Sequence, residues 1–175
     1  MFWYNKLVGE NYSLLNSIPR EELEDCLIIS KQLKYGNQYT YFSDFLDIIN
    51  FFNENQNLHL NEVIIENRLQ KFRLDIDIDL QNEKNYEIKN ENKFICCILD
   101  TLENLFKKYN KKLEVNHISI FESHGKYKRS YHIIINKYCF IDHLQIKQFY
   151  IEFLTLFKET NFSNYEKYID GGIYN

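Results

Sequence analysis

In residues 71–80, KFRLDIDIDL, charged and apolar residues alternate throughout. Asp75, Asp77 and Asp79 therefore fall on one face of a strand, and Phe72, Leu74, Ile76, Ile78 and Leu80 on the other. Same-face carboxylates two residues apart can reach one hard cation, and Mg²⁺ or Mn²⁺ suits their oxygen chemistry. Without a cation they repel one another in a strand, where Asp is depleted, which weighs against a merely solvated face. Asp79, at the strand's end, suits an ordinary solvated acid and ranks below Asp75 and Asp77. The same repulsion predicts that exchanging both Asp75 and Asp77 for Asn raises metal-free stability.

A second group lies in SHGKYKRSYHIII, where Lys126, Lys128, Arg129, Ser130 and His132 stand at the entry to an apolar strand. They offer donors and positive charge suited to a triphosphate, and Ser130 and His132 share a face. A basic loop followed by a core histidine is the plainer account of such a run alone. An acidic pair on a neighbouring strand favours the phosphate reading. Asp170, just before Gly171 and Gly172, has the setting of a turn residue. A strand starting there would set it beside Asp75 and complete a carboxylate cluster for two metals.

Bringing these residues together requires a sheet. Residues 92–109 place Phe94, Ile95, Ile98, Leu99, Leu102, Leu105 and Phe106 on one helical stripe, and residues 143–159 form a second helix through Leu144, Phe149, Phe153, Leu156 and Phe157. Strands are predicted at 113–121 and 130–138, and YIDGGIYN opens a last one. The order β-α-β-β-α-β is that of the ferredoxin-like unit, which polymerase palms and RNA-recognition modules share. Right-handed crossovers then give the strand order 4-1-3-2, with the Asp75 strand central. The fold class is α/β, more closely α+β. Residues 1–67 form a preceding helical or α/β unit, and residues 68–175 the palm. In the first unit, Pro19 opens a helix through PREELEDCLII and Ser43 caps a helix carrying Phe45, Leu46, Ile48, Ile49, Phe51 and Phe52. NENQN and QNEKNYEIKNENK read as polar loops.

The 175 residues are 45% hydrophobic, 17% aromatic and 26% charged, with fourteen Phe and fourteen Tyr against one Pro and five Gly, which excludes disordered, collagen-like and linker-dominated chains. A net charge of −4 gives no whole-molecule attraction to nucleic acid, so any such contact needs a local patch. Cys26, Cys96, Cys97 and Cys139 form no C-x-x-C pair, and Cys96 and Cys97 read as buried thiols, which argues for a reducing compartment. No apolar stretch approaches membrane-span length and no leader pattern opens the chain. The expectation is a soluble, unprocessed, intracellular protein with no membrane partner, in host cytoplasm or nucleus if viral, and not secreted.

FRLDIDIDL, SHGKYKRSYHIII and YIDGGIYN together resemble the three signature motifs of the archaeo-eukaryotic primase superfamily: an apolar strand ending in D-x-D, an S-x-H at a strand start, and a later D before a short apolar-Tyr pair. The resemblance is nearest to the viral branch, the N-terminal primase domain of primase-helicases of poxviruses and other large DNA viruses. Lys128, Ser130, Tyr131 and His132 match its Lys-x-Ser-aromatic-His string, and Asp170, Ile173 and Tyr174 its Asp-x-x-Val-Tyr string. The resemblance covers about residues 70–175. It implies a nucleotidyltransferase that makes primers on single-stranded DNA from NTP or dNTP. In it Asp75, Asp77 and Asp170 are catalytic and hold Mg²⁺ or Mn²⁺, while His132, Ser130 and Lys128 contact the nucleotide's phosphates. A helicase domain or subunit is the implied partner. The family continues past the Tyr into a basic strand, so the 175 residues are expected to bind metal but to polymerise poorly or not at all, and a version extended beyond Asn175 to recover primer synthesis. The zinc insertion frequent among relatives is absent, since His117, His124, His143 and Cys139 lack ligand spacing.

Two other classes fit less well. An RNA-binding module needs aromatics on the central strands, where Asp75 and Asp77 stand. A rolling-circle nicking enzyme needs a second histidine beside His132. A catalytically weak, primase-like assembly domain stays open.

Overall fold

The computed structural model describes residues 2–10, 12–65, 68–82 and 90–174, without the side chain of Ile173. The chain divides into two compact units, Met1–Ile65 and Glu66–Asn175, each a mixture of helix and antiparallel sheet. Much of the expected loop QNEKNYEIKNENK lies outside the described residues.

The first unit contains α1 (Leu14–Ser17), α2 (Arg20–Leu23), β1 (Leu27–Gln32), β2 (Asn37–Phe42), α3 (Phe45–Glu54) and β3 (Leu60–Glu62), with its sheet in the order β2-β1-β3. It is therefore an α/β unit rather than a mainly helical one. The helix expected through PREELEDCLII stops at Leu23, and LIISKQ becomes the central strand. Ile28 packs with Leu14, Leu23 and Cys26, whereas Ile29 packs with Phe42 and Ile48. Adjacent β-branched residues buried in two separate clusters demand the two-sided geometry of a strand. Gly36 turns the β1–β2 hairpin at a φ of 87°, and the Leu33 amide donates to its carbonyl. The N-cap of α3 is Asp44 rather than Ser43, its Oδ1 accepting from the Leu46 amide at 2.7 Å.

The second unit contains β4 (Gln70–Asp79), α4 (Glu91–Lys108), β5 (Ile118–Glu122), β6 (Lys128–Phe140), α5 (His143–Phe157) and β7 (Ile169–Asp170), its sheet ordered β5-β6-β4-β7. Counted from β4, that is 4-1-3-2 read from the β7 edge. Phe72, Leu74, Ile76 and Ile78 of β4, Ile133 and Ile135 of β6, and the apolar stripes of α4 and α5 form one core cluster. Both helices thus cover the same sheet face, and the charged alternates of β4 lie on the face that neither helix covers.

Three local expectations change. Cys96 is exposed and Cys97 half-buried, because Phe94, Ile98, Thr101 and Leu102 occupy the inward stripe and consecutive helical residues point 100° apart. The last strand is two residues long and gives way to a 3₁₀ turn, Gly172–Tyr174. Leu113 precedes β5, which begins only at Ile118 after a 3₁₀ turn at Val115–His117. Among the described residues no helix is long and apolar enough to cross a membrane.

Candidate functional site

The antiparallel register sets the candidate residues in rows across the strands. Asp75 faces His132 on β6 and Asp170 on β7, while Asp77 faces Ser130 and Asp79 faces Lys128. Cross-strand partners share a face, so residues from three distant stretches of sequence meet on the helix-free side of this sheet. On β5, Phe121 faces His132 and extends the first row to Asp170, Asp75, His132, Phe121.

Side-chain contacts link the rows. Lys128 Nζ lies 2.9 Å from each carboxylate oxygen of Asp77. The buried Ser130 hydroxyl donates to Asp77 Oδ1 at 2.6 Å and stands 3.5 Å from His132 Nε2. His132 Nε2 in turn is 3.1 Å from Asp75 Oδ1, yet outside hydrogen-bond geometry, so that buried oxygen has no hydrogen-bond partner. Asp170 is exposed, and its Oδ1 accepts from the Gly172 amide at 2.7 Å, which closes the turn that its neighbouring glycines suggested.

The two strand carboxylates are held in opposite senses. Burial pushes the Asp75 carboxyl above its ordinary value, the charges of Asp77 and Asp170 add to this, and His132 and Lys128 only partly offset it. Partial burial also pushes Asp77 upward, but hydrogen bonds from Ser130 and Lys128, with their positive neighbours, outweigh it and hold Asp77 below its ordinary value. Asp79 is lowered by the Gln81 amide and the Asn82 side chain, which it accepts as a turn-closing residue apart from the other two.

Two of the basic candidates are not brought into this group. Arg129 lies on the alternate face of β6, where its Nε pairs with Glu91 Oε1 at 3.3 Å in the first turn of α4 and its Nη1 donates to the Gly125 carbonyl. Lys126 stands in the β5–β6 loop with its ammonium 4.8 Å from the centre of the Tyr127 ring. A shallow cleft of about 410 Å³ runs between Asp77, Asp79, Gly125, Tyr127 and Lys128. Two residues take roles that the motifs did not assign to them. His124 Nδ1 accepts from the Ser130 amide at 3.3 Å and its ring meets Tyr131 edge-on, which steadies the strand that carries Ser130. Tyr174 accepts from the Arg73 amide at 2.9 Å and donates to the Arg73 carbonyl, so it works as a backbone clamp on β4.

Among the described residues no three His, Cys, Asp or Glu side chains converge as a ready metal cage. The donor set nevertheless suits a hard divalent cation: a buried Asp75 oxygen that accepts no hydrogen bond and lies 3.1 Å from His132 Nε2, flanked in register by Asp77 two residues on and by Asp170 on β7. Lys128 already holds both Asp77 oxygens, so a cation there would replace an ammonium. No family model matches the chain, and no curated protein matches it.

Proposed function

We propose that the second unit is the palm of a metal-dependent nucleotidyltransferase, with Mg²⁺ or Mn²⁺ held by Asp75, Asp77 and Asp170. Within that class we read it as a DNA primase or primase-polymerase domain of the archaeo-eukaryotic superfamily, viral branch, making primers on single-stranded DNA from NTP or dNTP and working beside a helicase domain or subunit. The observation that carries the reading is the register, which aligns the D-x-D, S-x-H and later D strings on one uncovered sheet face. The 4-1-3-2 strand order supports a ferredoxin- or RRM-like palm.

The divalent ion, when bound, supplies charge stabilisation for the attacking 3′-hydroxyl and the departing pyrophosphate. The chain's own residues do the positioning. Ser130 is buried and gives its single hydroxyl proton to Asp77 Oδ1, so that proton would turn to a phosphate oxygen only once a cation holds the carboxylate. Lys128, at the rim, offers a charge-assisted donor. His132 stands between Ser130 and Asp75, where a ring N–H can reach a phosphate oxygen lying over the row.

One observation favours the second reading, a catalytically weak assembly domain: both Asp77 oxygens are engaged within the chain. Primer synthesis on a single-stranded template with labelled NTP or dNTP and either metal distinguishes the two. Weak product formation by the native chain that vanishes in an Asp75→Asn, Asp77→Asn double variant is expected. Undiminished products from that variant would overturn the metal assignment, and an inert native chain would favour the assembly domain. An RRM-like binding module has less support, because the central strands present Asp75, Asp77 and His132 where stacking aromatics would be needed.

A further inference from the structure

The geometry points to Phe121 as the platform on which the base of the bound nucleoside triphosphate stacks, a proposal that rests on Ser130, Lys128 and His132 taking the phosphates. Phe121 is 57% exposed on the helix-free face of β5, the edge strand of its sheet. Its register partner is His132, with Asp75 and Asp170 continuing the row. Neighbouring strands lie about 4.8 Å apart, so Phe121 stands roughly 10 Å across the sheet from Asp75. A nucleotide whose phosphates sit over Asp75, Ser130 and His132 would therefore carry its sugar over β6 and its base towards β5.

Among the described residues Phe121 makes no aromatic contact, and its same-face neighbours along the chain are Ser119 and Ser123. An exposed aromatic flanked by serines along the chain gains little from burial. The other exposed aromatic of this hairpin, Tyr127, already carries Lys126 over its ring and stands beside the Asp79 end, away from the row. Of the two exposed rings described in this hairpin, Phe121 is the one that no other ring or ammonium contacts. Stacking on an aromatic face is tolerant of base identity, which suits a template-directed reaction in which pairing, rather than the protein, selects the base.

The test is calorimetric titration of the full chain at fixed Mn²⁺ with two probes, ATP and inorganic tripolyphosphate, which lacks a base. For Phe121→Ala, ATP affinity is expected to fall about tenfold while tripolyphosphate affinity is unchanged. Phe121→Trp should restore ATP affinity and add an indole emission quenched by ATP, with the native chain, whose one Trp is Trp3, as the fluorescence control. Equal ATP affinity for the native chain and Phe121→Ala would overturn the platform while leaving the phosphate site standing. Loss of both probes in Phe121→Ala would make the ring a structural support and also overturn it. A native chain that binds neither probe would overturn the phosphate reading and the platform with it.

Discussion

At the residue scale, Lys128 rests on both oxygens of Asp77, and a divalent cation bound as proposed would have to compete with it for them. Displacing Lys128 from the carboxylate also frees its ammonium for a phosphate. Lys128→Met is expected to bind Mn²⁺ up to about fivefold more tightly without nucleotide, since exposed pairs of this kind contribute at most about 1 kcal/mol. The same variant should bind tripolyphosphate more weakly, and titrating each probe separately checks both. Unchanged Mn²⁺ affinity would show that the ammonium does not guard the site. The two aspartates also part company in stability. Asp75 is raised, so its ionised form burdens the fold at pH 7, and that burden fades as pH falls through its folded-state pKa toward 3.8. Asp77 is lowered, so its contribution is present at pH 7 and is lost only as pH falls below 3.8. Asp75→Asn should therefore melt higher than the native chain at pH 7 and Asp77→Asn lower. On acidification the first gap should close before the second. The uniform gain expected from carboxylate repulsion alone belongs to Asp75, because Ser130 and Lys128 have already reversed the sign at Asp77.

At the scale of elements, the weakest link is β7. Two residues supply little pairing, yet they carry Asp170 to its place beside Asp75. The following turn secures them: the Tyr174 ring stacks on Phe72 with centroids 5.8 Å apart, packs 4.8 Å from Tyr150, and its hydroxyl grips both backbone groups of Arg73. Burial pushes the Tyr174 hydroxyl far above its ordinary pKa, so it stays a neutral donor and acceptor. Tyr174→Phe should cost about 1–2 kcal/mol in urea unfolding by leaving buried backbone groups unpaired. It should also weaken Mn²⁺ binding through displacement of Asp170. Gly171 is constrained by space, since an added Cβ would lie 2.7 Å from the Tyr150 hydroxyl and 2.9 Å from its ring. Gly171→Ala is expected to cost about 1–3 kcal/mol and to act on Asp170 in the same direction. An unchanged urea midpoint for both variants would remove the turn from any role in placing Asp170.

For the molecule as a whole, a net charge of −4 means that contact with a polyanion depends on a few local cations. Lys71 on β4, Lys126 in the β5–β6 loop and Lys128 on β6 are exposed lysines of the sheet that carries the candidate face. About three phosphate contacts predict a slope of roughly −2 for log affinity against log salt with single-stranded DNA. A slope several times steeper would require a basic surface elsewhere in the chain.

What was legible in the sequence was whatever a single short window encodes. The two-residue alternation of residues 70–79 determines which side chains of β4 are buried, and the stripes of α4 and α5 follow from helical spacing alone. Those patterns also put Asp75 with Asp77, and Ser130 with His132, because partners two apart on a strand need no tertiary information. The fold of residues 27–32 was not legible, since a run such as LIIS satisfies helix and strand alike until Ile28 and Ile29 find separate cores. Nor was the fate of the basic run, where alternation along β6 sends Arg129 to Glu91 and Lys128 to Asp77. Pairing register is a property of two strands at once. Only the tertiary structure could therefore decide that Asp170 faces Asp75, that Phe121 faces His132, and that an ammonium rests on the carboxylate where a metal would bind.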